Sequence, residues 1–405
     1  MKVVVVGLGY VGLPLAMQAA SVGHQVIGFD VNEERIGQLS NSNSSIFANS
    51  SPNLSKVLSE GKLHLTSHLD KIPEGSIVVI AVPTPLTKNR MPNLVALNQA
   101  CEFIAENISD NSLIINESTS YIGTLRNLIQ PNIENKTTAK NLKYAVAPER
   151  IDPGNLYWDI KNTPRIVSGL SEEATEQAIK FYAEFCEQVH RVSSPEIAEA
   201  SKLFENTFRL VNIGLVNELS YVFNKMGWSA HEIIQAAATK PFGFMPFWPS
   251  VGVGGHCIPV DPIYLNFSAD NGGVGFEFIN LASNSNSSQP ERIIGLIEER
   301  LGFRLYNKRV QVVGLSYKPN TPDLRESPVI TLIDLLKLKG AIVTWHDPIV
   351  KEYNSEKSSP LSTEIDLGLI VTPHDVIDLS IWDNTDLPII DLSSGPKTHG
   401  WPKFL

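Results

Sequence analysis

The first thirty residues, MKVVVVGLGYVGLPLAMQAASVGHQVIGFD (residues 1–30), decide the fold class. Val3 to Val6 is a short valine-rich run that reads as a buried parallel strand. Gly7, Gly9 and Gly12 follow it as G-x-G-x-x-G, and residues 12–22 then carry helical periodicity. Val26 to Phe29 reads as the next strand, closed by Asp30. Each glycine has its own reason. Gly7 permits a tight turn, Gly9 lets the backbone approach a pyrophosphate, and Gly12 lets the helix pack close to the strand. The helix start then offers unpaired N–H groups to phosphates. Asp30 would accept hydrogen bonds from ribose hydroxyls and repel a 2′-phosphate, which favours NAD over NADP; Arg35 could instead reach a phosphate. A glycine-rich turn without ligand, and a cap or turn role for Asp30, are the plain alternatives.

The alternation continues outward from this unit. Ile77 to Val82, broken by Pro83-Thr84-Pro85, reads as a strand, as do Leu113 to Asn116 and Tyr144 to Ala147. The polar stretch SNSNSSIFANSSPN (residues 40–53) reads as a solvated loop with a short helix after it. Ser193-Ser194-Pro195-Glu196 carries helix-start signals, and helical spacing runs from there to about Lys225. A helix of that length suggests a spine between domains or a dimer contact. Residues 231–238 read as helix, residues 240–255 as a breaker-rich loop, and SNSNSSQPE (residues 283–291) as a polar interruption before another helix. From about Lys308 a smaller α/β unit begins. Its strands are Val310 to Val313, Ile342 to Trp345, Leu367 to Val371 and Ile389 to Ile390, with a helix from Pro328 to Lys339. The expected fold is α/β: two Rossmann-like domains joined by a long central helix and a helical middle domain. The expected boundaries are 1–193, 194–302 and 303–405.

Composition narrows the function classes. The 405 residues, 42% hydrophobic and 19% charged, exclude a wholly disordered chain. With 33 Lys and Arg against 43 Asp and Glu, the net charge of -10 argues against a nucleic-acid or anionic-membrane surface, while leaving room for a local basic pocket. The apolar N-terminus resembles a signal peptide only until its glycines are read as a βαβ unit. Cys101, Cys186 and Cys257 are too few and too scattered for a disulfide framework, which points to a reducing cytoplasm. No CxxC pair or HExxH suggests a metal site.

Three groups of residues could carry chemistry. Cys257 sits in GVGGHCIPVDP, where Gly252, Gly254 and Gly255 remove bulk that would keep a substrate from the backbone, and Pro259 and Pro262 stiffen the exit. His256 reads as structural. Lys202 and Asn206 are one helical turn apart with Glu199 and Arg209 near their face, a spacing that also fits a solvated polar side. Ala147-Pro148-Glu149-Arg150 ends a strand, where ligands of open α/β sheets bind; a surface ion pair of Glu149 with Arg150 is the plainer reading.

Together these motifs resemble the UDP-glucose/GDP-mannose dehydrogenase family, and within it the UDP-N-acetylglucosamine and UDP-N-acetylmannosamine 6-dehydrogenases. The resemblance spans nearly the whole chain through GLGYVGLPLA, FDVNEERI, AVPTPL, ESTSYIGT, APERIDPGN, KLFENTFRLVNIGLVNELS, PFGFMPFWPSVGVGGHCIPVDPIYL and GLSYKPNTPDLRESP. It implies an NAD-dependent, four-electron oxidation of a sugar C6 alcohol to a carboxylate, for polysaccharide precursors. Cys257 is then the nucleophile, Lys202 and Asn206 stabilise developing oxyanions, and Glu149 activates water. Asp261 orders a water or Lys202, and Thr119 stands beside that water. The resemblance places NAD on Gly7, Gly9, Tyr10, Val11, Gly12, Asp30, Arg35, Thr84, Ser118, Thr119 and Arg325. It gives the UDP-sugar Glu149, Arg150, Lys202, Asn206, Lys318 and the loop from Phe247 through Gly252 to Gly254. A homodimer built on the long helix is implied as well. Three features depart from the family pattern: Ser250, where relatives often carry glycine, Glu277, where arginine is common, and the polar run SNSNSSQPE. UDP-glucose oxidation, a single-step alcohol dehydrogenase and a non-catalytic NAD or nucleotide-sugar sensor are the competing readings.

Overall fold

The computed structural model describes residues 1–41, 51–152, 155, 157–270, 275–395 and 401–405. The chain forms two compact units. One comprises Met1–Glu205 with a stretch that starts at Ile263; the other comprises Asn206–Pro262 and the later chain to Leu405.

In the first unit the strands are β1 (Lys2–Val6), β2 (Gln25–Phe29), β3 (Leu63–Thr66), β4 (Ile77–Ile80), β5 (Leu113–Asn116), β6 (Lys143–Val146), β7 (Arg165–Gly169) and β8 (Val189–Arg191). They form one sheet in the order β3-β2-β1-β4-β5-β6-β7-β8. Strands β1 to β6 pair in parallel, β7 runs antiparallel to β6, and β8 lies parallel to β7. The valine run explains the centre of the sheet. Val3 and Val5 enter the core on one face, Val4 and Val6 the core on the other. Each buried valine contributes roughly 1.5–3 kcal/mol. Strands β3, β7 and β8 (LHLT, RIVSG and VHR) go beyond the sequence expectation; polar residues interrupt their apolar pattern.

Register sets the site. Val6 pairs with Ile80, Ile80 with Asn116, and Asn116 with Val146. The next residues, Gly7, Ala81, Glu117 and Ala147, therefore leave the sheet along one edge. Main-chain bonds hold that row: Ala81 N–H to Val6 at 2.8 Å, Glu117 N–H to Ile80 at 2.9 Å and Ala147 N–H to Asn116 at 3.0 Å. Strand order reverses between β1 and β4, so a crevice opens at this edge. Strand β4 stops at Ile80 instead of Val82, because the Val82 amide turns to the Ser118 hydroxyl at 2.9 Å.

The spine helix, Pro195–Lys225, is 31 residues long, starts in the first unit and continues into the second. Serine and proline begin it as the sequence suggests, with the Ser194 hydroxyl accepting from Ile197 N–H at 3.4 Å.

The second unit holds β9 (Arg309–Val313), β10 (Ile342–His346), the short pair β11 (Glu352–Tyr353) and β12 (Glu356–Lys357), β13 (Leu367–Ile370) and β14 (Ile389–Asp391). An all-parallel sheet runs β10-β9-β13-β14. One sequence expectation is overturned here. SNSNSSQPE is no interruption: helix Glu277–Ser287 runs through its first half, and helix Gln289–Leu301 takes up the rest. Its polarity has a packing cause. Asn286 is buried, donates to the carbonyls of Leu210 (3.2 Å) and Ala282 (3.1 Å), and accepts from Asn217 at 3.1 Å. For the other polar stretch, residues 42–50 lie outside the described residues; helix Ser51–Ser59 follows them.

Both sheets use the same turn, after β1 and after β9. Gly7 has φ +97° and donates to Phe29 O at 2.8 Å, while Leu8 N–H meets Asp30 Oδ2 at 2.9 Å. Gly314 has φ +82° and donates to His346 O at 2.9 Å, while Leu315 N–H meets Asp347 Oδ2 at 2.8 Å. A Cβ on Gly7 would sit 2.5 Å from Ala81 O, and one on Gly314 would overlap Thr372 O. Asp347 is fully buried beside His374 Nε2 at 3.0 Å. Burial opposes its charge, yet hydrogen bonds from His374 and the Val350 and Leu315 amides hold its carboxyl below the usual range.

We expect Gly7→Ala and Gly314→Ala each to lose about 3 kcal/mol or more of stability in denaturant titrations, from strain at a left-handed position together with the collision with main chain. Gly37→Ala, in helix Glu33–Ser40 with open space around its Cβ, is the control. It should gain up to about 1 kcal/mol.

Candidate active site

The glycines separate into those the fold needs and one it does not. A Cβ on Gly7 or Gly12 would collide with the chain, at Ala81 and at Gly7 O respectively. On Gly9 it would meet only the tip of Arg35, at 3.8 Å. Gly9 therefore keeps clear a space that the protein itself leaves empty, which suits a passing pyrophosphate. Helix Gly12–Ser21 has no side-chain cap and no acid in its first turn, so its N–H groups suit an anion. Tyr10 and Val11 are half-buried in the same turn.

Asp30 takes the turn role the sequence offered and keeps acceptor capacity for the ligand role. Its Oδ2 accepts from Leu8 and its Oδ1 from Asn32 at 3.0 Å, which ties the glycine turn to the end of β2. Each oxygen keeps a second lone pair for a ribose hydroxyl. Arg35 sits 3.6 Å from Asp30 Oδ2. Ser118 and Thr84 spend their hydroxyl protons on main chain: Ser118 on Val82 O at 2.8 Å, Thr84 on Thr119 O at 2.6 Å. Their side chains join the ends of β4 and β5, leaving only acceptor capacity for a ligand. These residues fit NAD.

Beyond β6, Glu149 is buried rather than engaged in the surface pair with Arg150. Its Oε1 accepts from the Arg150 and Ile151 amides, both at 2.6 Å, and Oε2 lies 3.8 Å from Arg165 Nη1. Lys202 Nζ donates to the Glu149 carbonyl. Arg150 turns elsewhere: its guanidinium grips Glu205 at 2.6 and 3.1 Å and the Pro164 carbonyl at 2.8 Å.

The polar face of the spine helix is not solvated. Glu199, Lys202 and Asn206 are only 4%, 7% and 6% exposed, while Arg209 is exposed. Buried charge of this kind needs partners. Glu199 accepts from the Gly123 and Leu125 amides at 2.6 and 3.0 Å, just beyond Ser118 and Thr119. Burial pushes its carboxyl up to about 7 against those two bonds.

In the second unit Cys257 is exposed, and its carbonyl accepts from the Val260 and Asp261 amides at 3.1 and 2.8 Å. Asp261 opens helix Asp261–Asp270 and accepts from Asn206 Nδ2 at 2.6 Å. The glycines before the cysteine have a different reason from the expected one. The room they leave is filled by protein, not held for substrate. A Cβ on Gly252 would meet Pro328 at 3.2 Å, and one on Gly254 would meet Tyr317 at 2.6 Å and Glu326 O at 2.8 Å. Gly255 N–H donates to Arg325 O at 2.9 Å. The cysteine loop is thus clamped to the GLSYKPNTPDLRESP loop, which carries half-buried Lys318. Arg325 forks onto Asp323 at 2.6 to 3.1 Å. Phe247 meets Phe208 edge-on, with centroids 5.7 Å apart. The Ser250 hydroxyl donates to Gly252 O at 3.0 Å, a local turn, and Glu277 is an exposed acid in a first helical turn.

Sequence reasoning passed over Glu117, Arg165 and Tyr182. Arg165 is 3% exposed, 3.1 Å from Glu117 Oε1 and centred 5.0 Å over the Tyr182 ring; the Tyr182 hydroxyl donates to that same oxygen at 2.5 Å. Full burial pushes the Glu117 carboxyl up to about 7, the Glu149 charge adds to the rise and Arg165 opposes it. A charged residue closing the apolar run LIIN was the available signal.

Three family models match the chain. The NAD binding domain of the UDP-glucose/GDP-mannose dehydrogenase family covers residues 1–186, the central domain 196–288 and the UDP binding domain 311–386. A UDP-N-acetyl-D-glucosamine 6-dehydrogenase of Pseudomonas aeruginosa is 34% identical over 357 residues, 86% of this chain and 83% of that protein. A UDP-N-acetyl-D-mannosamine dehydrogenase of Pyrococcus horikoshii is 34% identical over 357 residues, 87% and 84% of the two chains. A solved structure of a UDP-D-ManNAc dehydrogenase from that organism matches with a TM-score of 0.85 at 32% identity, over 96% of this chain and 95% of the other. With an NAD cradle in one unit and the UDP-domain match in the other, the chain belongs to the UDP-glucose/GDP-mannose dehydrogenase family, as an NAD-dependent oxidoreductase of nucleotide sugars.

Proposed function

We propose that the chain oxidises the C6 hydroxyl of a UDP-N-acetylhexosamine to the uronate through a covalent Cys257 intermediate. The observation that carries this reading is the Cys257 turn: an exposed thiol on a main chain pinned by Val260 and Asp261, with Asp261 bound to buried Asn206. The N-acetylhexosamine preference is supported by the PFGFMPFWP loop and by relatives named for UDP-N-acetylglucosamine and UDP-N-acetylmannosamine.

NAD supplies the hydride acceptor for each oxidation. The aldehyde formed first has no hydroxyl from which a second hydride can leave. Attack by the Cys257 thiolate forms an S–C6 bond, and the carbonyl oxygen takes a proton, giving a thiohemiacetal. Loss of the C6 hydride and the hydroxyl proton leaves a thioester. Water adds, the C–S bond breaks, and thiolate and uronate separate. Lys202 has one N–H on the Glu149 carbonyl, leaving two for the developing oxyanion or its proton. Asn206 has one amide hydrogen on Asp261 and one left for the same oxygen. Glu149 takes the proton of the attacking water through Oε2, with Thr119 beside it, because Oε1 is filled by two amides. Lys318 and the Phe247–Gly254 loop would hold the nucleotide sugar.

Residues 1–193, 194–302 and 303–405 are the proposed cofactor, central and nucleotide-sugar domains. A second copy of the chain is the proposed partner, because Phe208, Leu215, Leu219 and Val222 form an exposed apolar stripe on the spine helix. A cytoplasmic setting would keep the Cys257 thiol reduced.

Purified protein should form two NADH per UDP-N-acetylglucosamine or UDP-N-acetylmannosamine, with the uronate seen by mass spectrometry. Cys257→Ser should lower kcat at least about a thousand-fold. An unaltered NADH ratio and rate in that variant would sink the covalent route, and turnover of UDP-glucose alone would move the substrate. Gly9→Val should raise KM for NAD roughly tenfold or more while the melting temperature holds. Light scattering should give the mass of two chains, and of one for Leu219→Glu.

A further inference from the structure

We propose that Arg165 is a positioning residue for Glu149, fixing which carboxylate oxygen meets the attacking water. The proposal rests on the hydrolytic role given to Glu149 above.

Strand direction brings Arg165 to the ligand edge. Strands β1 to β6 deliver their C-terminal residues to the ligand edge, whereas β7, running the other way, delivers its first residue, Arg165. Ala145 pairs with Gly169 and Val146 with Ser168, so the same register carried past the strand end sets Arg165 across from Glu149. The main chain is fixed there too, with Arg165 N–H on Gln188 O at 2.9 Å.

Glu117 and Tyr182 already give the cation an opposite charge and a ring face: Glu117 Oε1 lies 3.1 Å from Nη1 and the Tyr182 ring lies under the guanidinium. A second buried carboxylate at 3.8 Å adds an acid beyond the one that pairs the cation, at a desolvation cost that stability alone does not call for. Both acceptor positions of Glu149 Oε1 are filled by amides at 2.6 Å, so Oε2 is the reactive atom. At 3.8 Å the guanidinium draws that oxygen by charge but does not occupy its lone pair. In the step concerned, the water oxygen bonds to the thioester carbon, the C–S bond breaks to release thiolate, and a water proton passes to Oε2. Arg165 touches none of the reacting atoms.

The test mixes enzyme rapidly with saturating NAD and whichever UDP-N-acetylhexosamine the wild type oxidises, and follows NADH and intact protein mass. Arg165→Lys and the neutral Arg165→Gln should both keep the NADH burst of the two oxidations and accumulate a uronyl adduct on Cys257. Steady-state kcat should fall about 10-fold for Lys and 100-fold for Gln, with KM for the sugar within about threefold. Glu149→Gln should show the same adduct. Wild-type turnover in both Arg165 variants would overturn the proposal, as would burst and steady state falling together without adduct, the mark of a merely structural residue. If Glu149→Gln forms no adduct, the hydrolytic role of Glu149 itself fails, and the positioning role with it.

Discussion

The shared register of β1, β4, β5 and β6 is the constraint on which the first unit depends. Parallel strands that end level release four loops along one edge, and each loop carries a different chemical element. Gly7 opens the phosphate turn, Pro83-Thr84 and Ser118-Thr119 follow, and Glu149 closes the row. A slip of one residue in any pairing would turn those side chains to the opposite face. The positive φ of Gly7 and its tight approach to Ala81 O hold β1 and β4 in that relation, and Gly314 repeats the device in the second unit.

The protein buries several charged groups near the residues proposed to do chemistry. Glu117, Arg165, Glu149, Glu199 and Lys202 are all buried in the first unit. Each is held by main chain or by an opposite charge, because a buried ion without partners would cost several kcal/mol. The arrangement gives up stability for placement. Main-chain amides hold Glu149 and Glu199, and the Glu149 carbonyl receives Lys202, so side-chain positions follow backbone positions.

Much of this was legible in the sequence. The valine run, the glycine spacing and Asp30 gave the cofactor cradle, because strand, turn and helix there are local in the chain. The spine helix was readable from its cap and periodicity, and Cys257 stood out among glycines. Other features were hidden. SNSNSS looks like a loop in sequence, yet Asn286 is a buried donor to Leu210, a partner far away in the chain. Lys202 and Asn206 fit a solvated face by spacing alone, and only packing shows them buried. Gly252 and Gly254 suggest room for a ligand, while the space belongs to Pro328 and Tyr317.

The sequence by itself determined the local machinery: where strands and helices start, which glycines turn, and which residue types can bind a dinucleotide or carry a thiolate. Short-range sterics and hydrophobic period fix such features within a few residues. Only the tertiary structure decided that β7 runs against its neighbour, that Arg165 therefore stands opposite Glu149, and which oxygen of Glu149 its backbone neighbours leave open. Those facts depend on strand direction and on burial summed over distant segments, which no window of sequence contains.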